Sequence, residues 1–365
     1  MSAASGAPPA ALSPEVSDAI RVARVLALFF MSYTHIRPGA AVLMADAFDG
    51  VQDVIESLLF NGLGRGAVPL LSIVSGVLAY HGAKRKTFAA FIGDKARTLI
   101  VPMIFWNVVM LVIVFAFFLA TGGAKLLPVG WLAHLNAVFA LTDQPINTPL
   151  AFLRDIFVCA ALTPLIVRAL DHAPLAGLAL IAGVMALLYG ADSILVLRPQ
   201  IFVFFSLGLL LAHHRLTHYR MDPFAALLMV GVAMAVVVGA DSGWLPPSDF
   251  STSIINRFAV SVALWRLCIW LVDRGAAGFF FRIEQFIFLF FCTHWFVFFG
   301  LGFAVTGFLG DGASSPLSWA VLLEPVVGLA FAAALMCVIR ALKIDWLHVL
   351  TGHREQGYRK HWRMA

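Results

Sequence analysis

The sequence contains few charged residues. They make up 12% of the chain, whereas apolar residues make up 61%. A soluble domain has about 25% charged residues, so this composition excludes an ordinary soluble protein. No polar stretch is long enough to form a separate soluble domain. The composition, together with a mean hydropathy of +0.91, therefore predicts a membrane protein.

Cysteine is also scarce, and its positions indicate no special chemistry. Single cysteines inside apolar stretches behave as small hydrophobic residues, so no extracellular disulfide framework is expected. Cys292 and His294 alone do not form a metal-ligand set, and we expect neither a metal ion nor a permanently bound cofactor. The four cysteines are Cys159, Cys268, Cys292 and Cys337.

Several catalytic and nucleotide-binding motifs are missing. The chain has no Gly-x-Ser-x-Gly elbow, no Walker loop and no Gly-x-Gly-x-x-Gly turn. Their absence argues against an α/β-hydrolase, an ATPase and a dinucleotide-dependent enzyme. We also find no internal repeat, which disfavours transporters built from inverted repeats.

Apolar stretches suited to transmembrane helices recur along the whole chain. A helix of about 20 residues crosses the hydrocarbon core of a bilayer, and about ten stretches qualify, although two of them are short. The predicted fold is therefore an all-α, polytopic membrane helix bundle. The stretches cover approximately residues 20–37, 65–81, 98–120, 150–170, 175–190, 199–213, 223–240, 252–273, 283–306 and 317–341.

The distribution of basic residues predicts the orientation. With the N-terminus inside the cell, 18 of the 25 lysines and arginines fall on the cytoplasmic side, as the positive-inside rule requires. Both termini are then cytoplasmic. The net charge of +5 follows mainly from this asymmetry and does not indicate a nucleic-acid partner.

Three regions follow from this topology. Residues 1–19 lack the basic start of a signal peptide and are predicted as a cytoplasmic segment before an uncleaved first span. Residues 20–341 form the membrane domain, and residues 342–365 form a basic cytoplasmic tail. The lipid bilayer is thus the first expected partner.

Residues 49–64 differ from the predicted spans. Val51, Val54, Ile55, Leu58 and Leu59 follow the i, i+3, i+4, i+7, i+8 spacing of one helical face. This pattern predicts a short amphipathic helix on the outer surface. It either packs on the bundle as a loop helix or forms a lid over a site.

Arg24 and His35 lie in the first apolar stretch, with ten residues between them. Eleven helical steps place the two side chains within about 20° of one face and about 16 Å apart along the axis. Both groups are unfavourable in lipid, so we expect them to line a protein-enclosed cavity. This pair is the strongest indication of function in the chain.

Other polar side chains are predicted in the outer half of the membrane. Each would cost about 2.5–3.5 kcal/mol at a helix centre, and one shared cavity open to the outside accounts for them together. For any single residue the alternative is structural, such as an ion pair between spans. The arginines slightly outnumber the carboxylates, which would suit an anionic acyl group or an acidic glycan. The set comprises His35, Arg65, Arg154, Asp155, Arg257, His294 and Glu324.

Five cations lie near Arg24 on the predicted cytoplasmic side. Ordinary positive-inside topology is one explanation for them. A phosphorylated cytoplasmic ligand is another, because arginine binds phosphate through two parallel hydrogen bonds. The five are Lys84, Arg85, Lys86, Lys95 and Arg97.

Three stretches resemble acyltransferase family 3, the integral-membrane O-acyltransferases of bacterial surface glycans. Arg24 and His35 match the first-helix pattern of that family. The stretch 68–76 resembles its second-helix motif, which ends in Ser-Gly, here Ser75-Gly76. The stretch 97–107 is similar to its basic start of helix three.

Two weaker similarities support the same family. Residues 152–155, Phe-Leu-Arg-Asp, resemble a motif on the fourth helix, and residues 291–294, Phe-Cys-Thr-His, resemble a late Tyr-x-x-His motif. Leu71-Ser72 stands where many members have a pair of phenylalanines. Phe291 replaces the usual tyrosine.

The resemblance implies ten helices, a cytoplasmic acyl-CoA donor and an acceptor hydroxyl on a glycan at the far side of a bacterial inner membrane. Acetyl-CoA is the first expected co-substrate and succinyl-CoA the second. The distance between Arg24 and His35 is on the scale of an extended pantetheine arm. The alternative function is a transporter or flippase of a glycan or lipid-linked intermediate.

The expected roles follow from this scheme. Arg24 and Arg97 hold the CoA phosphates, and His35 is the general base, oriented by Asp155 or Glu324. Further residues expected to bind the acyl-CoA donor are Arg85 and Lys95. Further residues expected to bind the substrate are Arg65, Ser75, Arg154, Arg257 and His294.

Overall fold

The computed structural model describes residues 12–36, 54–55, 57–121, 127–190, 198–217, 222–241, 244, 250–309, 322–343, 347 and 350–351. Every regular element within these ranges is a helix, which confirms the all-α prediction. The helices are α1 Pro14–Ser32, α2 Arg65–Arg85, α3 Phe88–Lys95, α4 Val101–Thr121, α5 Trp131–Phe139, α6 Ala151–His172, α7 Pro174–Gly190, α8 Pro199–His213, α9 Pro223–Asp241, α10 Phe250–Asp273, α11 Ala277–Leu309 and α12 Glu324–Ala341.

The helices form a polytopic membrane bundle. Within the described ranges, six stretches are long and apolar enough to cross a bilayer, and α7, α8 and α9 are apolar but shorter. The first helix, α1, has four charged residues over its first three turns. With α1, these segments correspond one to one with the ten predicted spans. The six long stretches are Leu58–Arg85, Phe88–Ala120, Thr148–His172, Ile254–Asp273, Ala277–Gly302 and Glu324–Ala341.

Local sequence signals explain both ends of α1. The Ser13 side chain accepts a hydrogen bond from the Val16 backbone N–H at 3.3 Å, and Pro14 occupies the first turn. At the other end the helix tightens into a 3₁₀ turn over Tyr33–His35. A 3₁₀ segment has about 3.0 residues per turn instead of 3.6. Its three residues therefore rotate His35 by about 60° from the position it would have in a continuous α-helix.

Helices α2 and α8 approach each other closely and meet at Gly76 and Gly208. A Cβ added to Gly76 would overlap the carbonyl oxygen of Phe205, and one added to Gly208 would overlap that of Ile73. Small residues allow membrane helices to approach in this way. Gly76 in the second-helix motif thus has a packing role, while the neighbouring Ser75 is half-buried.

Helix α1 packs in parallel against α11, although the two are far apart in sequence. Arg21 pairs with Glu284, and Phe29 stacks on Phe290. His35, six residues after Phe29, lies beside His294, which is one turn after Phe290. The interface thus has an ionic end, an aromatic middle and an imidazole end.

The bundle has two chemically different ends. The end with the Arg21–Glu284 pair also contains the Lys84–Asp171 ion pair. We name it the cytoplasmic end, following the positive-inside prediction, and we name the opposite end, which contains His35, the outer end.

The predicted amphipathic helix 49–64 lies partly outside the described residues. Its second half, Ser57–Gly64, is π-helical and continues directly into α2. It packs against the last turn of α1, where a Cβ added to Gly64 would lie 2.9 Å from the Thr34 methyl carbon. A role as a lid stays a prediction.

Candidate active site

Two imidazole rings meet at the outer end of the α1–α11 interface. The ring centroids of His35 and His294 are 5.5 Å apart, and the edge of Trp295 closes the other side of His35 at 5.8 Å. His294 is fully buried, whereas His35 is half-buried. His35 is thus the member of the pair that a substrate can reach.

The surroundings of His294 determine which nitrogen carries its proton. Its Nδ1 lies 2.9 Å from the carbonyl oxygen of Phe291 and 3.1 Å from that of Phe290. Both neighbours only accept hydrogen bonds, so Nδ1 must be the donor and Nε2 holds the lone pair. Nε2 is buried and has no hydrogen-bond partner in the described part of the chain. It can therefore accept a proton or a hydrogen bond from His35.

Hydroxyl groups stabilise the turn that presents His35. Ser32 donates to the carbonyl oxygen of Phe29 at 2.6 Å, and Thr34 donates to that of Met31 at 2.7 Å. These bonds satisfy carbonyl groups that the end of a helix leaves without partners. The turn also directs His35 towards α11.

Arg24 faces α11 as well, at the cytoplasmic end. Its Nη1 lies 3.5 Å from Oε1 of Glu284, while Arg21 Nε makes the shorter contact, 2.6 Å, with the other carboxylate oxygen. Arg21 also pairs with Asp18 at 3.6 Å and stacks on the ring of Phe281. Arg24 and His35 are about 18 Å apart along α1, from a rise of about 1.5 Å per residue in the helix and about 2.0 Å in the 3₁₀ turn.

The other residues predicted to bind the acyl-CoA donor lie between the end of α2 and the start of α4. Arg85 is the exposed last residue of α2, and Arg97 is exposed in the π-helical turn Ala96–Ile100. The Lys95 ammonium lies 5.6 Å from the centre of the Phe91 ring. Their contact with a phosphate stays a prediction.

Arg154 and Asp155 form a buried ion pair with each other. Nη1 of Arg154 donates to Oδ1 of Asp155 at 3.0 Å, and its Nη2 donates to the carbonyl oxygen of Leu141 at 3.2 Å. The pair anchors the loop before α6. The substrate-binding role of Arg154 and the orienting role of Asp155 stay predictions.

Glu324 is the buried first residue of α12. Gly328, one turn along that helix, packs on His294, since an added Cβ would lie 3.6 Å from the His294 Cβ. Helix α12 therefore brings a carboxylate within about one turn of the imidazole pair.

Two asparagines that the sequence did not single out support the same region. Asn147 donates to the carbonyl oxygen of Cys292 at 3.0 Å, and Asn107 accepts from the Asn147 backbone N–H at 3.3 Å. Both are fully buried. They fix the loop before α6 against α11, two residues from His294.

A cavity of about 400 Å³ opens at the outer end, next to the turn that carries His35. Arg65, Arg257 and Arg198 line it, together with Thr34, the neighbour of His35. The structure thus brings together two of the predicted substrate-binding arginines. Sequence reasoning did not single out Arg198, although its position directly before Pro199, at the start of an apolar helix, indicates a place at the bundle end. Ser72, rather than the predicted Ser75, contributes to the lining.

The fold and this polar outer end define a polytopic membrane protein with a histidine-containing candidate site. Residues 17–341 match the acyltransferase domain model of acyltransferase family 3, Acyl_transf_3, and the chain belongs to that family. It is therefore an enzyme that transfers acyl groups.

One curated relative matches over nearly the full length of both chains. The chain is 28% identical to the succinoglycan biosynthesis protein ExoH of Rhizobium meliloti (strain 1021), over 94% of each. No solved structure matches the chain.

Proposed function

We propose that the protein moves an acyl group from cytoplasmic acyl-CoA to a hydroxyl of an exopolysaccharide outside a bacterial inner membrane. Acetyl is the first expected group and succinyl the second. The observation that carries the proposal is the α1–α11 interface, with Arg24 at one end and the His35–His294 pair about 18 Å away at the other. The family and the relative's role in succinoglycan biosynthesis support acyl transfer to a polysaccharide.

The donor binds from the cytoplasmic end in this proposal. Arg24 contacts a CoA phosphate, and Arg97, Lys95 and Arg85 add positive charge nearby. Arg24 makes the longer of the two contacts to Glu284, so it can exchange that carboxylate for phosphate while Arg21 keeps its own. The pantetheine arm then extends along α1 and presents the thioester near His35.

The transfer step takes place at the outer end. His35 removes the proton from the acceptor hydroxyl as its oxygen attacks the thioester carbonyl carbon. A carbon–oxygen bond forms, the carbon–sulfur bond breaks, and the proton passes from His35 to the leaving CoA sulfur. When substrate is bound, Nε2 of His294, which has no hydrogen-bond partner in the described part of the structure, accepts a hydrogen bond from His35 and so directs the other ring nitrogen towards the acceptor. The donor's arm crosses the membrane, and neither bulky substrate has to.

The test uses purified protein in detergent with radiolabelled acetyl-CoA or succinyl-CoA and an exopolysaccharide acceptor. We expect labelled polysaccharide and an equal amount of free CoA thiol. The His35→Ala variant supplies the inactive control. Wild-type protein that turns over neither donor with any acceptor would contradict the proposal and favour the transporter alternative.

A further inference from the structure

We infer that the outer cavity, lined by Arg65, Arg198 and Arg257, binds a carboxylate carried by the substrate. The inference rests on the proposed function and specifies the class of substrate that its outer site selects. The carboxylate belongs either to the acyl group or to an acidic sugar of the acceptor.

The three arginines converge from separate elements. Arg65 begins α2, Arg198 precedes α8, and Arg257 lies on α10. All three line the same space of about 400 Å³. Sites for small molecules typically have volumes of about 300–1,000 Å³, so the cavity can hold a short chain or part of a sugar.

Among the described residues, none of the three arginines forms an ion pair with a carboxylate. Arg257 donates to the Gln200 side chain, and Arg198 makes only long, 3.4 Å hydrogen bonds to Gln144 and Thr148. Asp155 acts on Arg198 electrostatically, but Asp155 is already paired with Arg154 at 3.0 Å.

The positive charges of the arginines also repel one another. Arg65 is close enough to Arg257 to act on its charge, and like charges repel most strongly where water is excluded. Burial lowers the pKa of Arg198, and Asp155 opposes that effect. An arginine nevertheless keeps its proton, so a bound anionic ligand would compensate the charge.

The rest of the lining suits an organic acid. Val68, Pro69 and Phe204 provide an apolar wall for a carbon skeleton, while the arginines provide planar donor groups that match a carboxylate with two parallel hydrogen bonds.

The cavity is also adjacent to the candidate catalytic residue. Thr34 lines it, and Arg198 is close enough to act electrostatically on His35. A carboxylate bound here would place the rest of its molecule near the turn that carries His35.

The experiment measures two ratios on the purified full-length protein. The first is kcat/KM for succinyl-CoA relative to acetyl-CoA with a neutral polysaccharide acceptor. The second is kcat/KM for an acidic relative to a neutral acceptor with acetyl-CoA. The variants are Arg198→Gln and Arg257→Gln, with Arg282→Gln, an exposed arginine of the cytoplasmic end, as the matched control.

We expect one ratio to fall by about tenfold or more in both cavity variants, because each loses a charge-assisted hydrogen bond, and to stay unchanged in Arg282→Gln. A fall in the first ratio assigns the carboxylate to the acyl group, and a fall in the second assigns it to the acceptor. Arg257→Lys keeps the charge and should restore part of the loss, and it replaces the glutamine variant if that protein aggregates. If the cavity variants are active and both ratios stay within about twofold of the wild-type values, the carboxylate site is wrong but the proposed function still stands. An inactive wild-type protein contradicts the proposed function.

Discussion

Phe29 and Phe290 stack with their ring centroids 6.4 Å apart, between the Arg24–Glu284 contact and the His35–His294 pair. This aromatic contact separates the two polar ends of the α1–α11 interface. In the proposed reaction the arm of the donor passes beside it. The predictions below test the residues on either side of this contact.

Replacing His35 by Ala should lower acyl transfer by about 10²–10⁴-fold, because a positioned base typically contributes that much. The measurement is the transfer rate of purified protein at saturating donor and acceptor. His134→Ala, on the exposed face of α5, is the matched control and should retain activity. Transfer by His35→Ala within about tenfold of wild type would mean that His35 is structural.

Replacing His294 by Phe keeps a ring in the buried position but removes Nε2 and the Nδ1 donor. We expect kcat to fall by about tenfold or more, less than for the base itself, while the acyl-CoA KM changes little. Steady-state kinetics with separate kcat and KM values measure this split. A larger loss than that of His35→Ala would exchange the roles of the two histidines.

Replacing Arg97 by Ala should raise the KM for acyl-CoA more than the KM for the acceptor, because a phosphate contact is lost on the donor side only. Arg24→Gln should have the same effect. Arg168→Ala, exposed near the cytoplasmic end of α6, is the control for loss of one surface charge. If Arg97→Ala is present in normal amount and its KM for acyl-CoA is unchanged, Arg97 contributes only to the orientation of the protein in the membrane.

Replacing Gly76 by Ala should lower the thermal stability of the purified protein, because the new methyl group meets the backbone of α8. Overpacking of this kind costs about 1–3 kcal/mol. Gly183→Ala, on α7, is the matched control, since a Cβ there meets nothing within 4 Å. Equal melting temperatures for the two variants would contradict the close helix contact.

The orientation can be tested by cysteine labelling in intact cells. In a background with Cys337 replaced, Val129→Cys before α5 should react with a membrane-impermeant reagent, and Lys86→Cys should not. Both positions are exposed in the structure, so burial does not explain a lack of reaction. Labelling in the reverse pattern would invert the topology and the direction of acyl transfer.

The sequence predicts well at which depth of the membrane a residue lies, and it predicts poorly which helices pack side by side. Apolar runs report where the chain crosses the membrane, so all ten predicted spans correspond to helices, and Arg24 and His35 are found at opposite levels of α1. Helix neighbours depend on packing between distant segments, which no local pattern encodes. Gly208 as the partner of Gly76 is one example.

For the candidate site, too, the sequence predicts individual residues better than the contacts between them. His35 and His294 are both predicted, but their direct contact is not, because it requires the parallel docking of α1 on α11 and the 3₁₀ turn. Arg154 was predicted to bind substrate, with an ion pair as the structural alternative, and in the structure it pairs with its neighbour Asp155. Arg198 and Asn147 were missed because their positions in loops give no periodic signal.

The parallel packing of α1 and α11 also sets an order of assembly. Arg21 and its partner Glu284 are 263 residues apart in the chain, so the helix made first waits for one of the last before Arg21 and Arg24 contact Glu284. Contacts between such distant segments form late, and unpaired charged helices are vulnerable until then. A chain that stops before α11 would leave Arg21 and Arg24 without this carboxylate.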